Sequence, residues 1–308
     1  MKNLLLWTLA FVLMFASAAW QRRTGPSYPV RGELQTPAGL RSYELPRSHE
    51  TTRGAVVSVP GARPEGTLVW RRYPTDDAFE TIRLVAEGDS LVATLPVQPA
   101  AGKVEYYVEL YGAADTLRLP AHEAAVLRYR GPVDVAVLLP HVLLMFVAML
   151  IAVRTALGAL AGREEPKLAW LALLGFTIGG LVLGPMVQKQ AFGAYWTGVP
   201  FGWDLTDNKT LLMWLAWLVA CLAPLRWPRS RRGLVLGATA VTLVVYLIPH
   251  SMRGSELDYE RNELDAEWTL AQGLPQCGLP LSNTMRHRPG ASCRQIEVNL
   301  AMHLPAGS

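Results

Sequence analysis

VDVAVLLPHVLLMFVAMLIAV, residues 133–153, carries a single charged side chain, Asp134, among its apolar residues. An α-helix needs about 20 apolar residues to cross about 30 Å of hydrocarbon. This stretch meets that length, and three further apolar runs follow, Leu168–Val187, Leu211–Leu225 and Gly233–Ile248. The last two are short and draw on flanking Thr210, Trp227 and Pro249, a mismatch tolerated at modest cost. Met1–Ala18 has the basic start, apolar centre and Ala16-Ser17-Ala18 pattern of a secretory signal. An uncleaved anchor is the alternative, and it is the preferred reading. The expectation is therefore a multi-domain membrane protein with a bundle of about five helices, the N-terminal anchor included.

Charge is distributed to match. The chain is 51% hydrophobic and 18% charged, with a net charge of +4. Residues 25–130 have ordinary charge density, whereas 133–250 are depleted. No basic stripe interleaved with aromatics is present, so nucleic acid is not an expected partner; the lipid bilayer is. Lys and Arg in short loops mark the cytoplasmic side. Arg226, Arg229, Arg231 and Arg232 crowd one loop, and Arg154, Arg163 and Lys167 flank another, diluted by Glu164 and Glu165. Both loops facing the cytoplasm puts residues 22–131, the loop 188–209 and the C-terminal tail in the periplasm of a bacterial inner membrane. Arg22 and Arg23 run against this orientation, but a folded domain translocates largely regardless of charge. The expected organisation is an anchor over 1–21, a periplasmic domain over 22–131, a four-helix membrane domain over 132–252 and a tail over 253–308.

Residues 25–130 read as short strands at 54–59, 67–73, 80–85, 90–95, 104–111 and 124–129, separated by turn residues such as Pro60-Gly61 and Glu87-Gly88-Asp89. This spacing suggests an all-β sandwich. The stretches Leu68-Val69-Trp70-Arg71-Arg72-Tyr73, Ala93-Thr94-Leu95-Pro96 and Gly102–Leu110, with Tyr106-Tyr107 entering a central strand, resemble fibronectin type III or immunoglobulin-like modules of exported bacterial proteins. The resemblance covers about 80 residues and implies fold rather than activity; Trp70, Tyr106 and Tyr107 are expected in core and corner packing. Gln21–Pro26 and Asp204–Thr210 resemble motifs of an uncharacterised bacterial membrane protein.

Two histidines, His141 and His250, each follow a proline at membrane depth. Ionisable groups there are functional candidates because burying them is costly. Imidazoles from facing helices could bind the iron of haem b or the magnesium of a chlorophyll-type pigment, or hydrogen-bond a quinone. The competing reading is that each satisfies a backbone carbonyl released by its proline. No CxxCH is present, which removes covalent c-type haem. The loop 188–209 is aromatic, glycine-rich and polar together. Tyr195, Trp196, Phe201 and Trp203 suit the headgroup level. Asp204, Asp207 and Lys209 read as a capping or ion-pair cluster, with Asp207 an N-cap or first-turn acid. The loop is read as a docking surface, re-entrant segment or lid, or as an interfacial belt. Cys221 reads as a small core residue. Cys277 and Cys293 are disulfide candidates in an oxidising compartment. Arg253, Glu256, Asp258, Glu260 and Arg261 read as a solvated track.

GxSxG, HExxH, Walker A and a helix-opening GxGxxG are all absent, and there is no duplicated bundle. The expectation is a non-enzyme, an accessory subunit of a multi-subunit bioenergetic membrane complex, photosynthetic or respiratory, contacting other subunits of that complex. The alternatives are a haem- or pigment-binding electron-transfer protein using His141 and His250, and an envelope assembly factor or sensor binding a ligand through the sandwich.

Overall fold

The computed structural model describes residues 2–113, 115–249, 256–260 and 263–265. All belong to one compact unit, Met1–Leu270. His250, Arg253, Arg261, Cys277 and Cys293 lie outside the described residues.

The chain opens with α1 (Lys2–Thr24), a helix that runs unbroken through Ala16-Ser17-Ala18. A β region follows. Its first strands are β1 (Val30–Thr36), β2 (Gly39–Leu45), β3 (Ser48–Glu50), β4 (Ala55–Pro60) and β5 (Glu65–Tyr73). Then come β6 (Glu80–Arg83), β7 (Val85–Glu87), β8 (Ser90–Leu95), β9 (Lys103–Tyr111), β10 (Thr116–Leu119) and β11 (Ala125–Arg130). One sheet has the order β3-β11-β9-β5-β6, with β10 also pairing β9; a second has the order β4-β8-β7. β3 runs parallel to β11, and the other pairs in these two sheets are antiparallel. β1 and β2 form a separate hairpin.

Alternation explains how the sheets meet. In β9, Val104, Tyr106, Val108 and Leu110 are fully buried while the residues between them are half-exposed. Side chains alternate faces along a strand, so one face of β9 supplies core. Val57, Leu91 and Leu95 of the smaller sheet share a single apolar cluster with Leu68, Tyr106 and Leu127 of the larger one. Two sheets therefore enclose one core. The Tyr106 hydroxyl donates to the Pro46 carbonyl at 2.7 Å. Tyr107 faces outward instead, edge-on to Phe79 and beneath the Arg118 guanidinium.

The remaining helices are α2 (Val135–Leu160), α3 (Pro166–Phe176), α4 (Gly184–Phe192), α5 (Leu205–Arg226) and α6 (Arg231–Leu247). Together with α1 they provide five segments long and apolar enough to cross a membrane, α3 and α4 counting as one because a π-helical stretch, Thr177–Leu183, joins them. The expected run 168–187 is thus not a uniform α-helix. α2 packs against α1, α3 and α6. Ala148, Ala152, Ala156 and Ala159 line its buried face, and a Cβ on Gly175 would lie 2.8 Å from that of Ala148. Small residues let helix backbones approach closely where no water drives association. Hydrogen bonds then join helices across the bundle. Trp217 Nε1 donates to Thr242 Oγ1 at 2.8 Å, Trp214 Nε1 to Thr177 Oγ1 at 2.8 Å, and the Tyr246 hydroxyl to the Met145 carbonyl at 2.8 Å.

One ion pair is deeply buried. Arg154 is 2% exposed and grips Glu165 in a fork, at 2.6 and 2.9 Å. Its Nη2 also donates to Asn3 Oδ1 at 2.6 Å, and its guanidinium lies over the Trp7 ring. The pair thereby fastens α1 to the α2–α3 turn. Removing one partner of a buried pair strands a charge, at about 3–5 kcal/mol, whereas replacing both by apolar groups is often neutral. Arg154→Met should therefore lower the thermal midpoint of the detergent-solubilised protein clearly, and Arg154→Met with Glu165→Leu should recover most of the loss. Equal destabilisation by the single and double substitutions would contradict the pairing.

Candidate functional site

The junction between the β region and the helices sits at the end of α4. The Gly131 N–H donates to the Ala191 carbonyl at 2.8 Å, the Asp134 N–H to Gln190 Oε1 at 2.7 Å, and the Arg128 guanidinium stacks on Phe192 at 4.0 Å. A Cβ on Gly131 would clash with the Gln190 carbonyl oxygen, so this approach requires glycine. Asp134 also N-caps α2. α4 ends at Gly193, whose φ of +94° is a left-handed C-cap that favours glycine.

From Gly193 the loop turns back onto the start of α5. Asp204 is the N-cap, accepting the Thr206 N–H at 2.7 Å. Asp207 lies in the first turn, and its side chain points away from its own helix. One of its oxygens accepts the N–H groups of Thr197 at 2.6 Å and Gly198 at 3.0 Å, and the Gln188 amide at 3.1 Å. Asn208 Oδ1 accepts the Val199 N–H at 2.7 Å. A Cβ on Gly198 would lie 2.6 Å from Asp207 Cβ, so the contact depends on glycine there. Lys209, expected to pair with the acids, instead donates to the Ile248 and Pro249 carbonyls at 2.7 and 3.2 Å, where α6 ends. Cations are favoured at a helix C-terminus. Gln21 of α1 also reaches the Ile248 carbonyl.

This scaffold presents a fixed aromatic ledge. Tyr195, Phe201 and Trp203 are 60%, 58% and 63% exposed, while Trp196 is half-buried with its Nε1 bonded to the Val199 carbonyl. The structure therefore brings Tyr195, Trp196, Phe201, Trp203, Asp204 and Asp207 into one element, the acids holding it and the aromatics displayed by it.

His141 is elsewhere, half-buried in α2 against the π-helical stretch. Its Nδ1 lies 2.8 Å from the Gly179 carbonyl. A carbonyl only accepts, so Nδ1 carries the proton. Nε2 keeps its lone pair and has no partner among the described residues. The carbonyl satisfied is one on the neighbouring helix, not one released by Pro140 in α2. The Gly179-Gly180 pair at the centre of an apolar run was the sequence signal for this irregularity. Among the described residues no cluster of three or more His, Cys, Asp or Glu is arranged to hold a metal. Cys221 is buried, as expected. Glu164 and Glu165, which read as loop charges, are both engaged in ion pairs. Tyr259 joins the short strand β12 (Glu256–Asp258) to the β region; its hydroxyl bonds the Lys103 carbonyl at 2.7 Å, and burial pushes its pKa up to about 12.

Replacing Asp207 removes the acceptor of several buried donors, each costing about 1–3 kcal/mol when left unpaired. Asp207→Ala should therefore free the loop 193–204 to proteolysis in the folded, membrane-inserted protein. Unchanged protection of that loop would show that its shape does not depend on the carboxylate.

Compared with known proteins, the chain matches no family model, no curated protein and no solved structure.

Proposed function

We propose that the chain is a non-catalytic structural subunit of a multi-subunit bacterial inner-membrane complex, the bioenergetic class being the one its sequence favours. The aromatic ledge of Tyr195, Phe201 and Trp203 is its contact with neighbouring subunits, and the β region, on the periplasmic side, braces them. The observation that carries this reading is the way the ledge is built. Large apolar side chains are normally left exposed on a loop without much scaffolding, yet here one buried carboxylate and one carboxamide are spent on fixing the backbone beneath them. A pre-ordered aromatic surface lowers the entropy lost on association, and Tyr, Trp and Phe are enriched at protein interfaces.

A second observation points the same way. Ionisable groups inside spans are functional candidates by default. Arg154, Asp207 and Lys209 are each occupied in holding this chain together. Two largely antiparallel sheets around one core are compatible with an immunoglobulin-like brace. Purification of a tagged chain in mild detergent, at native expression, tests this. A large assembly with other membrane chains is expected from the wild type, and release of the intact chain as a monomer from Phe201→Ser with Trp203→Ser. A wild-type chain that elutes alone would overturn the reading.

His141 favours one alternative, a cofactor-binding electron-transfer protein. Ligating histidines commonly donate one ring N–H to a carbonyl and present the other nitrogen to the metal, and His141 is held in that way by Gly179. Haem b iron, a chlorophyll-type magnesium or the hydroxyl of a quinone's reduced, quinol form are the groups such an Nε2 would meet. The purified protein should then show a visible or quinone absorption band that His141→Ala abolishes; an unabsorbing wild type would exclude it.

A further inference from the structure

The end of the bundle carrying the α2–α3 turn and the α5–α6 connection is strongly cationic. Its two acids are consumed locally. Glu165 is held by Arg154, and Glu164 by Arg231 at 2.9 Å. Arg163, Lys167, Arg226, Arg229 and Arg232 are exposed, and none of their side chains forms a hydrogen bond or ion pair with the described residues. Cations gathered at one end of a bundle favour anions beside them, the more so where apolar surroundings limit screening.

One groove at this end combines the charge with an apolar surface. Trp170 and Trp227 at the same end are 42% and 65% exposed, and interfacial tryptophan marks headgroup level. A groove runs between the α2–α3 turn and the first turn of α6. Its floor is apolar, formed by Ala159, Ala169 and Val235, and its rim carries Arg163, Arg231 and Arg232 beside Glu164 and Glu165, the two acids already paired with Arg231 and Arg154. Its base holds only about 10 Å³, room for one water-sized group. Pockets for free small molecules are far larger, on the order of 300 Å³ or more. A ligand there must be held mainly from outside, by charge at one end and by apolar contact along the helices at the other.

We propose that this groove is a binding site for an anionic phospholipid. The phosphate sits between Arg163 and Arg232, and an acyl chain follows the apolar floor into the bilayer. The shape matches the basic pockets between transmembrane helices that take acidic headgroups. This inference rests on the five helices lying in a bilayer and is independent of whether the chain braces a complex.

The test uses the full chain in nanodiscs of phosphatidylcholine, alone or mixed with phosphatidylglycerol, with native mass spectrometry of lipids retained after release. Retention of phosphatidylglycerol over phosphatidylcholine by about tenfold or more is expected, given the contribution of each arginine near a membrane surface. Arg163→Gln with Arg232→Gln should bring retention close to parity. A charge-matched control, Arg41→Gln with Arg53→Gln in the β region, should leave it unchanged. Both pairs are exposed, so folding is not at stake. Equal retention of the two lipids by the wild type, or equal loss in the control, would overturn the proposal. So would displacement of phosphatidylglycerol by inorganic phosphate, which would make the site one for a free anion. A chain that fails to enter nanodiscs at all would overturn the membrane reading itself.

Discussion

Polar groups carried into apolar helices are costly when left unbonded, and the main ones in the bundle find partners within the protein. This constraint organises both of its ends. At one, Arg154 could not remain where it is without Glu165 and Asn3. At the other, Lys209 is satisfied by the Ile248 and Pro249 carbonyls just past α6, and Asp207 by the amides of the preceding loop. Between them Trp214, Trp217 and Tyr246 hand their polar tips to hydroxyls and a carbonyl on facing helices. Helix register is set by these bonds as much as by the alanine face of α2.

The same bonds join parts that lie far apart in the chain. α1 is tied in twice, through Asn3 at one end and Gln21 at the other. That double attachment, with Ala10 wholly buried between, packs α1 into the bundle. The β region is likewise seated on the end of α4 through Gly131, Asp134 and Arg128. Segment 188–209 therefore serves several parts at once: it ends one long apolar helix, supports the β region, displays the aromatic ledge and caps the next helix.

Much of this was legible residue by residue. The apolar runs, the strand alternation and the turn residues of the β region announce themselves because they reflect local periodicity and burial. Even so, β1, β2, β3 and β10 escaped that reading. β1 alternates Val30, Gly32 and Leu34 with Arg31, Glu33 and Gln35 but has only two large apolar residues to mark it, β2 is mostly polar, and β3 is three residues long. The π-helical stretch escaped as well, since hydropathy does not distinguish helix types. Asp207 and Lys209 were recognisable as important, but their partners were not, because those lie in a loop about ten residues back and at the end of another helix.

By itself the sequence determined how many segments are long and apolar enough to cross a membrane, the β character of residues 25–130 and the crowding of arginine at one loop, since each follows from composition and period within a short window. Only the tertiary structure decided that Arg154 pairs with Glu165, that His141 is oriented by Gly179, and that Asp207 holds a loop rather than facing Lys209. Those outcomes depend on which helices are neighbours and at what register. A charge in an apolar setting takes whichever partner packing brings within hydrogen-bond reach, and no local pattern encodes that choice.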